Sequence, residues 1–452
     1  MPISPAKPRE VTMNVTALKT KAESQLREQF DAAAASLPGT GWVSALRARA
    51  MDAFAAEGLP HRRVEEWKYT DLRERLRDVP APATGAAPAV TAADIDSALG
   101  PLAAIDAERI VLVDGVYSTD LSKVTTEAAV IELMSLGAML KKAPAWLEGK
   151  FAADGGAVVA LNTAFMSDGV LLKVRKDQDP GRPVLLVHVR AAAEPTAIAV
   201  RNVVSVEAGA RLTLVEAHVA LDGAARGALS NVVTDVTLAD RATCSHIKCL
   251  VDTSASTHLA TWTTRLGKDA TYRGFQLTAS PALARNDINI IFGGEGSKLD
   301  LSGAFLARGA EHIDTTLVVD HAVPACESRE LFKGVLDGRA HGIFQGKIIV
   351  RPDAQKTDGK QMSQALMLSP DAQFSSKPEL EIYADDVVCG HGATCTEIDV
   401  DLLFYCRSRG IPPDVARAML TESFIGEAVE KIEDEDVREA IGALAIGWLR
   451  AR

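Results

Sequence analysis

The sequence has no basic excess, no long apolar run and few cysteines, and each shortage removes a class of function. Lys and Arg number 49 against 60 Asp and Glu, a formal charge of −11. No basic face can dominate a phosphate backbone, so nucleic acid is not expected as a main partner. The longest runs free of Asp, Glu, Lys and Arg are Ala32–Leu46 and Val79–Ala93. Both are broken by Pro and Gly and are too short to span a bilayer, so no membrane span is expected. The first thirty residues contain no apolar core or cleavage-like site of a secretory leader, and Met13 is an alternative start. Six cysteines scattered from Cys244 to Cys406 are too sparse for a disulfide framework, which fits a reducing, cytoplasmic setting.

Common catalytic signatures are missing as well. No Gly-x-Ser-x-Gly elbow and no His-Glu-x-x-His helix occurs. Gly342-Ile343-Phe344-Gln345-Gly346-Lys347 has three residues between its glycines where a phosphate loop has four, and Ile348 replaces the Ser or Thr needed for magnesium. Gly294-Glu295-Gly296 fails the dinucleotide pattern because Leu299 stands at its final glycine, so it reads as a turn.

What is present divides into three regions. Residues 1–100 are expected to hold helices over 14–35 and 42–58, separated by Ser36–Gly41, and then a Pro/Ala-rich linker over Val79–Ala93. Residues 101–397 carry short Val-, Ile-, Leu- and Thr-rich runs punctuated by Gly, Asp, Asn or Pro at roughly ten-residue intervals. Examples are Val170–Val174, Pro183–Val189, Ala197–Val206, Ala210–Val219, Asn231–Leu238, Asp287–Phe292, His312–Val319 and Gly346–Val350. Few intervening segments are long enough for crossover helices, so the fold class is mainly β. With no blade-like repeat, a β-helix is a better reading than a propeller. Residues 398–452 turn helical again, with Pro412-Pro413-Asp414 opening one helix. In the last segment Val437, Ile441, Leu444, Ala445 and Trp448 form one apolar stripe, which either packs on the protein's own core or docks a partner.

Three constellations could carry chemistry, and one further segment reads as structural. Cys244 and His246 would share a strand face while Cys249 points away, so the three cannot ligate one ion without a bulge. His312 and Asp314 share a face, with Asp320-His321 beyond them, and suit acid–base work or a hydrogen-bonded corner. Glu65–Leu72 has no derivable chemistry and reads as a packed helical turn. The densest cluster is Cys389-Gly390-His391-Gly392-Ala393-Thr394-Cys395, where strand texture gives way to helix. Its glycines suggest a turn exposing Cys389 and His391 on one rim; a thiolate beside an imidazole suits iron or zinc but supplies only two of the usual four ligands. The remainder would come from another chain or from the sulfide of a cluster, and a buried structural turn is the alternative.

Several ordered segments resemble one family. Ser328–Leu336, Ala354–Asp358, Leu380–Val387, Cys389–Thr394 and Leu403–Tyr405 followed by Arg407–Ile411 are similar to the SufB/SufD family of iron–sulfur cluster assembly proteins. Upstream, Gly58-Leu59-Pro60, Glu65–Leu72 and Leu161–Phe165 continue the likeness. The D branch fits better. Gly392 stands where the B branch usually has Glu, Ser369–Gln373 lacks the B branch's cluster-building cysteine, and the N-terminal signature is D-like. Cys395 and Cys406 depart from the usual Val and Leu.

The resemblance implies a right-handed parallel β-helix flanked by helical regions and a non-enzymatic scaffold role. A SufB-like subunit and a SufC-like ATPase would be its partners, with a homodimer possible in isolation. It also implies a transient iron–sulfur cluster at the complex level, with His391 and Cys389 near the subunit interface. The docking surface for the ATPase is expected on the C-terminal helices, at Val437, Ile441, Leu444 and Trp448. Two other readings remain open on the residues alone: a β-helical enzyme acting on polysaccharide, and a structural homo-oligomer.

Overall fold

A computed structural model describes residues 19–83, 89–151, 155–252 and 254–451. Met13, residues 14–18 of the first expected helix and residues 84–88 of the linker lie outside them. The strands build a parallel β-solenoid of about eight turns. From Val170–Val174 onward successive strands alternate between a nine-stranded and a ten-stranded sheet, and each pairs in parallel with the strand two places along the chain. The register is unbroken over long stretches: Thr257–Leu266 pairs residue for residue with both Leu229–Leu238 and Leu283–Phe292.

Alternation of side chains in each strand separates an inner face from an outer one. Inward residues such as Leu214, Val236, Trp262, Ile290, Leu317 and Phe344 fuse into one core between the sheets. Outward apolar residues are covered by helices. Helix Lys21–Ala33, with a Thr20/Glu23 capping box, and helix Gly156–Phe165 lie over the nine-stranded sheet through Leu26, Phe30, Leu161 and the strand residues Leu229, Leu259 and Leu283. Helices Pro413–Val429 and Glu435–Arg450 cover the ten-stranded sheet through Ile425, Val437 and Ile441 against Ile247, Phe275 and Leu306.

One corner of the coil repeats without repeating its sequence. Gly209, Arg241, Asp269, Gly296, Ala325 and Lys356 all have positive φ. The residue after each, Ala210, Ala242, Ala270, Ser297, Cys326 and Thr357, is small and fully buried. Each corner turns through the left-handed region, and the next side chain drops into a space too narrow for anything larger. Gly294-Glu295-Gly296 is therefore a structural corner, as expected.

The two ends of the coil differ. At the N-terminal end antiparallel strands close both sheets: Val116–Lys123 on Glu108–Val113, and Ile131–Ser135 on Val170–Val174. At the C-terminal end the final strands, Gln373–Ile382 and Val388–Thr396, are the edges of their sheets, with most residues half-buried or exposed. Asp399 then caps a short helix, Val400–Ser408, in which no residue is buried.

Candidate functional site

The Cys389–Cys395 segment lies on this bare last turn. It is an extended strand, not the expected turn: the peptide pairs in register along Asp358–Leu366, and Gly390 and Gly392 are not among the positive-φ glycines. The strand still places the two side chains together, because residues two apart share a face. Cys389 sits over Gly359 and His391 over Gln361, on the inward face of the solenoid. With no further turn above them, that face opens to the outside at the mouth of the coil. His391 is exposed and Cys389 half-buried. Burial raises the Cys389 thiol pKa; a backbone N–H from Gly359 opposes the rise, and the charges of Asp358 and Glu330 add to it. Cys395 faces the same way over Ala365 and is exposed, but it lies six residues along the strand, roughly 20 Å from Cys389 on an extended-chain rise.

Directly below the mouth is a polar floor with no signal in the sequence. Gln361 lies under His391 in register, and Glu330 lies under Gln361. Gln361 is 4% and Glu330 3% exposed; neither amide atom of Gln361 has a hydrogen-bond partner, while the Glu330 carboxyl has the Ser328 hydroxyl beside it. Burial pushes the Glu330 carboxyl up to about 8, so it is mainly neutral at pH 7.

The other candidates are structural. Cys244 and His246 face the inner core and Cys249 the outer one, as their spacing predicts, and burial pushes both thiols up to about 12. His312 and Asp314 are buried and meet the Glu65–Leu72 segment. The Thr70 hydroxyl donates to Asp314 Oδ2 and contacts His312 Nε2 at 2.8 Å; Arg285 binds Asp314 at 2.6 Å and lies 4.3 Å above the Trp67 ring. Burial, with Arg75 close by, pushes His312 down to about 2, so it is neutral. This signature clamps the N-terminal region to the coil. His321 is also buried, with its Nε2 3.1 Å from Ser328 Oγ. In Gly342–Lys347 the glycines face inward and make room, Gly342 for the Phe305 ring and Gly346 for the Gln361 amide.

The stripe expected to dock a partner is turned inward. Val437, Ile441 and Trp448 are buried and Leu444 half-buried in the same core as Val215, Ile247 and Phe275, so these side chains form a seam within the chain. The correction has a simple cause: the outer face of the ten-stranded sheet is itself apolar and must be covered. Most of the large exposed apolar side chains lie elsewhere, at Val400, Leu402, Phe404, Tyr405, Val415 and Met419, and at Ile382, Tyr383 and Val388 beside the mouth; Val64, Val116, Trp146 and Met362 are exposed too.

Inside the coil, His188, Glu216 and His218 bring three ligand-type atoms within 4.8 Å of one another. The donor set would suit a first-row metal, but the geometry does not. The two imidazoles stack at 4.4 Å with 7° between their planes, so their lone pairs run parallel and do not converge. Glu216 is already occupied, accepting at 2.8 Å from His218, 3.2 Å from His246 and 3.1 Å from Thr234. Burial would raise its pKa, but the His218 and His246 hydrogen bonds and the Lys248 charge hold it well below the ordinary carboxylate range. The cluster is a satisfied polar network.

Among the described residues no helix is long and apolar enough to cross a membrane. Two families match the chain in tandem: "SufBD protein N-terminal region" over residues 20–186 and "SUF system FeS cluster assembly, SufBD core domain" over 188–424. A SufBD family iron–sulfur cluster assembly protein of Synechocystis is 31% identical over 400 residues, covering 85% of this chain and 86% of that protein. The iron–sulfur cluster assembly protein SufD of Escherichia coli is 30% identical over 387 residues, covering 85% and 88%. SufD of Bacillus subtilis is 27% identical over 294 residues, covering 64% and 66%.

Proposed function

The chain belongs to the SufBD family of iron–sulfur cluster assembly proteins and is SufD-like, and on that premise we propose that it is a scaffold subunit whose open solenoid end mates with a SufB-like subunit. The observation that carries this reading is the bare last turn, where two edge strands and the paired Cys389 and His391 side chains are all presented outward. Unpaired edges of this kind are templates for another chain. His391 and Cys389 supply an imidazole and a thiol to the iron–sulfur cargo, and the mating subunit supplies the ligands this chain lacks. The Cys389 thiol is protonated at rest and loses its proton when iron binds.

The exposed helix Val400–Ser408, with Val415 and Met419 on the next helix, provides the surface for a SufC-like ATPase. ATP hydrolysis belongs to that partner, and this chain acts without catalysis of its own. The family assignment displaces the polysaccharide reading. A homodimer through the same open end is what the isolated chain would form.

The test is His391→Ala in the co-expressed complex. The variant is expected to assemble with the SufB-like and SufC-like subunits in normal ratio but to form markedly less cluster, read from iron and acid-labile sulfide content. Normal loading overturns the role given to His391.

A further inference from the structure

The floor beneath the mouth presents a problem that the chain does not solve by itself. Gln361 is almost wholly buried, and its carbonyl and amino groups both lack partners. Leaving a buried amide unsatisfied is costly, and a Met or Leu at the same position would avoid that cost. Space has also been cleared for it. Across the coil the position facing it is Gly346, where a Cβ would collide with both Oε1 and Nε2. The polar side chain in register above Gln361 is His391, and the one below is the buried Glu330.

We propose that Gln361 is the positioning residue for His391: its side-chain carbonyl accepts one imidazole N–H, and the bare second nitrogen is left facing the mouth and the iron of the cargo. In this arrangement the Gln361 amino group donates to Glu330, so that a column of three side chains on three successive turns satisfies itself. Metal-binding histidines commonly need such an outer partner, because the hydrogen bond at one nitrogen fixes the tautomer that frees the other. Neighbouring turns are about 4.8 Å apart, within reach of a Gln side chain by one rotamer change. The inference rests on the role given to His391 above.

The experiment uses the full-length chain with 15N-labelled histidine, alone and in its complex, and assigns the His391 signals by their absence in His391→Ala. The wild type is expected to show one dominant His391 tautomer. Gln361→Met, close in volume but without an acceptor, is expected to populate both tautomers and to weaken Fe(II) binding by the complex roughly tenfold, as loss of an outer-shell partner does. A purely structural glutamine predicts the reverse pattern: stability unchanged or raised in Gln361→Met and an unaltered His391 spectrum. An unaltered spectrum overturns the proposal. Should Gln361→Met fail to fold, Gly346→Ala keeps the amide but crowds it, and the same tautomer shift is expected. If the tautomer shifts while His391→Ala loads clusters normally, the cluster role of His391 fails and the orienting contact stands.

Discussion

At the scale of single residues, the buried acid is the most informative. Glu330 has its carboxyl pushed up to about 8 by burial. A carboxyl whose folded value is raised contributes nothing unfavourable below its unfolded value near 4.5, and it destabilises the fold progressively as the pH rises from there towards 8. Glu330→Gln removes that pH-dependent cost. At pH 7 the variant is expected to be more stable by up to about 3 kcal/mol, and at pH 5 by less than about 1 kcal/mol. Urea unfolding at the two pH values reads this directly, and equal shifts at both would show that Glu330 is ionised in the folded chain. Burial likewise raises the Cys389 thiol, and Glu330 adds to that rise once the pH is high enough to ionise it.

At the scale of elements, the Glu65–Leu72 signature is a clasp between the N-terminal helices and the outer face of the nine-stranded sheet. Thr70 contributes its hydroxyl to Asp314 and His312, Trp67 lies under Arg285, and the Glu66 carbonyl accepts from Gln345. Thr70→Val leaves buried polar atoms without their partner, so a loss of about 1–3 kcal/mol is expected in thermal or urea unfolding. Faster proteolysis within the N-terminal region should accompany it; an unchanged midpoint would show the clasp to be dispensable. Strands of this kind are legible in sequence because their composition is distinctive. Val170–Val174 and Ala197–Val206 run over the residues expected for them, and the others differ mainly at their ends. At Cys389–Cys395 the glycines suggest a turn, but they serve an edge strand with open space beside Gly390. The repeating corner was invisible because its defining property is a positive φ, occupied in turn by Gly, Arg, Asp, Gly, Ala and Lys. The Gln361–His391 column was invisible for another reason: residues thirty apart become neighbours only when strand register is known.

At the scale of the whole molecule, most of the large exposed apolar residues among those described gather towards the open end and the helices that follow it, with Val64, Val116 and Trp146 lying elsewhere. Val388→Lys together with Tyr383→Glu places charge on that rim, which is how natural edge strands avoid pairing. The isolated double variant is expected to keep its unfolding midpoint, since both positions are solvent-exposed and surface changes usually stay within about 0.5 kcal/mol. Association with the SufB-like subunit should be lost, as measured by light scattering on the purified mixture. Retention of the complex would place the mating surface elsewhere.

The open C-terminal end sets a limit on what can be built from this molecule through it. Rods that mate through this one tip cannot be laid in a row by it: the first union consumes that tip on both. Assembly by this route therefore stops at two rods, and the stopping rule is written into the polypeptide without any need for a separate terminator.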